Sequence, residues 1–261
     1  MFNSSANVYQ SVSVLVDSRH RNNPDAYNIT NFTYTLDREI GRVSRVYVES
    51  AQIPFTYYTT NSSNNQLDFG IGGVRYSAVV ITGNYTSGTV LAAVKTALDG
   101  LAIPGAVWTV GFNQARLKVD IAAGLPNFEI FILPNSMWPS LGFNVDAGPA
   151  PMLASDGVLD LSGPRYLVIK SRTIGETRSY PIAVAAVYSA VVESAAIIHT
   201  IPVNTNPGGI ILDLPSETRY NILGYKVAFQ NNIDFRLEDD RGNLLDLNGN
   251  NWSVQFTFEL R

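Results

Sequence analysis

The sequence predicts a mainly β protein: a single jelly-roll β-sandwich of about eight antiparallel strands with a small α+β insertion domain. Three observations predict it. Thirteen Tyr, twelve Phe and many Val and Thr, set among abundant Asn and Gly, favour strands joined by turns over helices. Short segments repeat with the two-residue period of a strand that buries one face. These segments fall into two groups, before residue 57 and after residue 160, separated by a block that contains a helix of its own.

The first strand carries Val12, Val14 and Val16 alternating with Ser13 and Leu15, and Asn22-Asn-Pro-Asp25 stops it. A second runs from Thr30 to Leu36 with Phe32, Tyr34 and Leu36 on one face. A third follows Gly41 through Val43, Val46 and Val48 to Ile53-Pro54. The polar cluster Asn61-Ser-Ser-Asn-Asn65 then reads as a loop leaving the first sheet. Strands near Gln66–Phe69 and Arg75–Ile81 flank Phe69-Gly-Ile-Gly-Gly73, a hairpin turn with no Gly-Lys-Ser/Thr after it. Val90, Leu91, Val94 and Leu98 give residues 87–100 an amphipathic helical period, with Thr86 or Ser87 as cap and Gly100 at the end. Three strands follow, Val107–Phe112, Arg116–Ile121 and Phe128–Leu133. Gly148-Pro-Ala-Pro151 reads as the return linker, so residues 58–148 form the insertion and residues 1–57 with 149–261 the jelly roll. The insertion lies between its third and fourth strands. Later strands are Arg165–Ser171, Ala196–Val203, Gly209–Leu214, Asn221–Gln230, Asp234–Glu238 and Trp252–Leu260. Residues 182–195 fit a helix by spacing and a strand by their β-branched content.

A chain of 261 residues buries roughly 70–75% of its unfolded surface, enough for a core without staples. Charged residues are only 15%, against a usual share of about 25%, which fits a surface partly covered by neighbours. The 18 basic and 22 acidic residues leave a net charge of −4 with no Lys/Arg block, so specific nucleic-acid binding is not expected. No apolar run reaches the roughly 18–20 residues of a membrane span; the longest candidate, Pro181 to Val192, meets Glu193. Met-Phe-Asn-Ser-Ser-Ala at the start carries no basic leader, so secretion is not expected. The absence of cysteine removes disulfides and thiol chemistry and fits assembly in a reducing cytosol. Six Asn-x-Ser/Thr triplets, headed by Asn3, Asn28, Asn31, Asn61, Asn84 and Asn251, are what an Asn- and Thr-rich composition produces by chance.

Catalysis finds little support. His20 and His199 are too few for a cupin metal site, and no Gly-x-Ser-x-Gly elbow accompanies them. His199 reads as a partly buried histidine satisfied by backbone. Glu49, Asp120, Glu129 and Glu193 could supply a carboxylate pair, but nothing selects one. Asp246-Leu-Asn-Gly-Asn-Asn251 imitates a calcium loop without its terminal Glu and reads as a turn. Asp239-Asp-Arg-Gly-Asn243 reads as another turn. No enzyme activity, cofactor or metal is expected.

Asp17, Arg19 and Arg21 are the candidate site. On an extended strand end these positions project to one side, so Asp17 pairs with one Arg and leaves the other's fork for a carboxylate or carbonyl. That arrangement serves either as a cap within one subunit or as a contact between subunits.

The order of a Val-rich strand, Asp17-Ser-Arg-His-Arg-Asn22, an aromatic strand and a Val-rich strand ending in Ile53-Pro54 resembles the start of the penton or minor capsid proteins of virophages, Polinton-like elements and giant DNA viruses. Ile81-Thr-Gly-Asn-Tyr-Thr86, Ser140-Leu-Gly-Phe143 and Pro164-Arg-Tyr-Leu-Val-Ile169 extend the likeness. It implies a structural protein of the virion: a homopentamer at the five-fold vertices of an icosahedral capsid, bordered by a major capsid protein and assembled in the host cytoplasm. Such a ring joins one flank of each subunit to a different flank of the next. The alternative from the residues is a lectin-like attachment protein with a sugar or receptor site at Tyr57, Tyr58, Trp108 and Trp138.

Overall fold

The structure is a computed structural model that describes residues 10–22, 29–40, 43–125, 127–175, 197–215, 221–222 and 231–260. Segment 182–195, whose sequence fits both a helix and a strand, and residues 223–230 lie outside the described residues. Along the chain come β1 (Gln10–Asp17), β2 (Asn31–Thr35), β3 (Val43–Pro54), β4 (Gln66–Ile71), β5 (Val74–Val79), helix α1 (Ser87–Asp99), β6 (Thr109–Asn113), β7 (Lys118–Ala122) and β8 (Phe128–Phe131). Next are β9 (Ala147–Ala150), β10 (Met152–Ala154), β11 (Tyr166–Lys170), the short helix α2 (Arg172–Gly175), β12 (Ile197–Pro202), β13 (Ile210–Asp213), β14 (Asn221–Ile222), β15 (Asn232–Glu238) and β16 (Ser253–Leu260). The chain forms two compact units, one of residues 1–57 with 164–261 and one of residues 58–163.

The first unit has a five-stranded sheet in the order β1-β16-β3-β13, with β14 also on β3, and a four-stranded sheet in the order β12-β11-β15-β2. Strands β1, β2 and β3 alternate between the sheets, and the last strand of the chain returns between the first and third. That winding is the jelly roll. β16 pairs with β1 along its whole length, from Gln10 opposite Leu260 to Asp17 opposite Ser253. Its alternating Trp252, Val254, Phe256 and Phe258 are buried against Phe32, Ile233 and Phe235 of the other sheet, and Phe235 stacks on Phe256 at 5.4 Å. Strand β3 shows why its apolar residues do not alternate cleanly. Irregularities in its pairing with β16 fall near Ser44 and Glu49, and each inserts one extra residue that resets the phase. Val43, Val46, Val48, Ala51 and Ile53 therefore all face the core.

The second unit contains a sheet ordered β5-β4-β8-β9 and another ordered β10-β7-β6. Helix α1 starts at Thr86, whose side chain accepts the Thr89 N–H while the Thr89 side chain caps Thr86 in return, and it buries Val90, Val94 and Leu98. The core gathers Phe69, Trp108, Phe128, Trp138 and Phe143. Residues 149–163 also belong to this unit, so the expected return at residue 148 moves to Gly163. β9 pairs with β8 and β10 with β7, and what reads as a linker is an edge strand and its continuation. Proline is tolerated there because an edge strand has one side without ladder bonds. Gly148 is required: at φ +106°, a Cβ would sit 2.5 Å from the Phe128 carbonyl oxygen. Gly142 of the Ser-Leu-Gly-Phe motif is similar, with φ +89° and a Cβ position 2.7 Å from the Gly157 oxygen.

Candidate functional site

Asp17 is the last residue of β1. There the chain leaves the strand through a single 3-10 turn, Ser18–His20, which Asp17 caps. Ser18 ties that turn to the start of β16: its N–H donates to the Trp252 carbonyl at 3.0 Å, its hydroxyl donates to Asn251 Oδ1 at 3.0 Å, and the Trp252 N–H donates to its oxygen. Asp17 Oδ1 accepts the Arg19 N–H at 2.9 Å. The Arg19 side chain folds back onto the same carboxylate, Nε to both oxygens and Nη2 to Oδ2 at 2.5 Å. These side-chain bonds, with the Arg19 N–H, hold the Asp17 carboxyl below its usual range against the opposing pull of burial. Arg21 Nη1 donates to the Ser18 carbonyl at 2.8 Å.

The geometry differs from the expected row of three side chains, because the strand ends at Asp17 and the turn breaks the alternation that would align positions 17, 19 and 21. Asp17 and Arg19 form one ion pair and Arg21 closes the turn. The Arg19 side chain is nonetheless 67% exposed, whereas that of Asp17 is 10% exposed. Its Nε edge is engaged, and its Nη1 has no acceptor among the described residues.

The ion pair borders a cleft of about 350 Å³ on the face of the five-stranded sheet that points away from the core. One row of the ladder crosses it: Asp17 opposite Ser253, Ser253 opposite Gln52, and Gln52 opposite Leu212. Gln52 and Pro54 come from the end of β3, Ile210 from the start of β13, and Asn250, Asn251 and Ser253 from the entry to β16. Sequence reading did not find this cleft, because its walls are brought from four elements that share no local motif.

The other candidates resolve individually. His199 on β12 is satisfied by a carboxylate rather than by backbone: its Nε2 lies 2.6 Å from Asp213 Oδ2 on β13, joining the edge strands of the two sheets. Glu49 is engaged by Ser13, Gln255 and Thr257 on neighbouring strands. Asp120 and Glu129 lie on β7 and β8, which belong to different sheets of the second unit, and Glu193 is outside the described residues. Asp246 accepts the Asn248 N–H at 2.8 Å and Asp239 the N–H groups of Arg241 and Asn243, so both are turn formers. Among the described residues no three His, Asp or Glu side chains converge as a metal site, and no helix is long and apolar enough to cross a membrane. The aromatic sugar platform is not there: Tyr57, Trp108 and Trp138 are buried, with only Tyr58 exposed. Trp138 spends its Nε1–H on the Asp68 carbonyl at 2.8 Å.

No known family model matches the chain, and no curated protein sequence does. Among solved structures it is similar to the crystal structure of the selenomethionine-labelled mavirus penton protein. The TM-score is 0.50 at 13% sequence identity, and the alignment covers 96% of this chain and 99% of that one. The likeness establishes a penton-like jelly-roll fold.

Proposed function

We propose that the protein is a structural capsid protein, the vertex subunit of an icosahedral virion, and that five copies form the ring closing each five-fold position. One observation carries the reading: a jelly roll interrupted between its third and fourth strands resembles a penton protein over nearly the whole of both chains. Sparse charge and abundant Asn and Thr suit close packing of like subunits. The ring borders a major capsid protein and assembles in the host cytoplasm, and the protein works by packing rather than catalysis. Asp17, Arg19 and Arg21 are contact candidates, since Arg19 is exposed while Asp17 fixes its position. Negative-stain imaging of the purified chain tests the proposal: five-lobed rings support it, and a field of single particles at all concentrations rejects it. The double variant Arg19→Ala, Arg21→Ala should remain folded and lose the rings. Rings that survive it remove these residues from the interface.

A further inference from the structure

We infer that the cleft beside Asp17 and Arg19 is a recognition site for an extended main-chain segment of a second copy of this chain. The inference rests on the ring reading and adds where one half of the contact lies.

The chemistry of the walls selects the occupant. Arg19 presents its Nη1, and the Asn251 side chain, whose oxygen is taken by Ser18, presents its amide N–H₂. Asn250 uses its N–H₂ on the carbonyls of Leu247 and Asn248 and so presents its oxygen. Gln52 and Ser253 make no side-chain hydrogen bond among the described residues, and each offers both a donor and an acceptor. The cleft therefore offers both donors and acceptors, as a polypeptide backbone with a C=O and an N–H at each residue requires. Arg19, the one cation lining the cleft among the described residues, is already neutralised by Asp17, which matches a carbonyl better than a free anion. A sugar is served less well, because among the described residues no exposed aromatic face lines the cleft: Trp252 is buried and its Nε1–H is given to the Ile29 carbonyl at 3.0 Å.

The surroundings enlarge the footprint beyond a small ligand. Ile210 continues the cleft onto β13, which pairs only with β3 among the described strands. On that strand Ile210 is 64% exposed and Leu212 45%, with Leu214 63% exposed just beyond it. Three large apolar side chains in a line, beside a polar cleft and on a strand that no other described strand than β3 pairs with, make a surface suited to another protein chain. A closed ring needs one such patch per subunit, matched by a different flank of the neighbour, so a second copy is the occupant that fills every site at once.

Two substitutions test this without touching the ion pair or the core. Gln52→Trp fills the cleft from an exposed position, and Ile210→Asp places a charge on its apolar wall. Thermal unfolding should show both variants melting as the wild type does, and sedimentation velocity over a concentration series should show them assembling at a concentration at least tenfold higher. Hydrogen exchange at residues 210–213 and 250–253 should slow on assembly of the wild-type chain, a readout that stands even if a variant fails to fold. A wild-type ring in which neither the variants nor the exchange shows an effect overturns the cleft and leaves the ring. A wild-type chain that stays monomeric throughout overturns both. Binding of the wild-type monomer to a glycan array, lost in Gln52→Trp, reassigns the cleft to a sugar and overturns the peptide assignment.

Discussion

The two compact units reach the same end, a closed core between sheets, from opposite distributions of contacts along the chain. In the first, Gln10 pairs with Leu260, so the five-stranded sheet cannot close until the last strand is made. In the second, all partners lie within residues 58–163: β4 meets β5 across a two-residue turn, and β10 returns to β7 from thirty positions or so downstream. Each core is drawn only from residues of its own unit. Pairings of large sequence separation form late because loop closure must precede their reward. The inserted unit thus has the contacts to fold alone, whereas the jelly roll depends on strands from both ends of the sequence.

Cutting the chain gives the largest effects. Replacing 58–163 by a short Gly/Ser linker should leave a β protein with a single cooperative transition, and residues 58–163 made alone should also unfold cooperatively. Excising only 58–148 should fail, because β10 would remain without β7 and Leu153 without its core. Circular dichroism with thermal unfolding checks all three. If the 58–148 excision folds as well as the 58–163 excision, the boundary at Gly163 is wrong.

Next come paired core truncations. Phe256→Ala removes a fully buried ring stacked on Phe235 and should cost the first unit about 3–5 kcal/mol. Trp138→Ala removes a fully buried indole that also bonds the Asp68 carbonyl, and should cost the second unit a similar amount, about 3–5 kcal/mol. Native-state hydrogen exchange should place each loss in its own unit. Losses shared equally between the units would show that they unfold as one body.

The smallest effect belongs to Asp17. Its carboxyl is held below the unfolded value of about 3.9, so the stabilisation is present above that pH and is lost as pH falls through the lower folded value. Asp17→Asn should thus lower stability by about 1 kcal/mol or less at pH 7, and the gap from wild type should close below about pH 4. Denaturant titrations at both pH values measure it. A gap that persists at low pH would assign the loss to packing rather than charge.

Much of the jelly roll was legible in the sequence because its strands carry one-faced apolar periods, as in β16, where Val254, Phe256 and Phe258 continue inward the alternation begun by Trp252 just before the strand. The helix was legible because Thr86, Val90, Val94 and Leu98 combine a cap with one face. β9 was hidden by Gly148, Pro149 and Pro151, residues that read as a break and fit an edge strand only once β8 is seen beside it. The ion pair of Asp17 with an arginine was visible from type and spacing, but its geometry was not, because the strand ends at Asp17 and a 3-10 turn replaces the extended chain that the alternation through Arg21 required. His199 and Asp213 meet only because the two sheets stack, and the cleft at Gln52 and Ile210 exists only because β1, β3, β13 and β16 align. Such sites are products of register, which no short motif encodes.

Five copies in a closed ring are the assembly proposed for this fold, and native mass spectrometry of the purified chain across a concentration series measures it. The expected result is a discrete species at five times the 28.5 kDa chain mass that grows with concentration at the expense of the monomer. A chain that remains at 28.5 kDa throughout, or settles as a dimer or trimer, would contradict it.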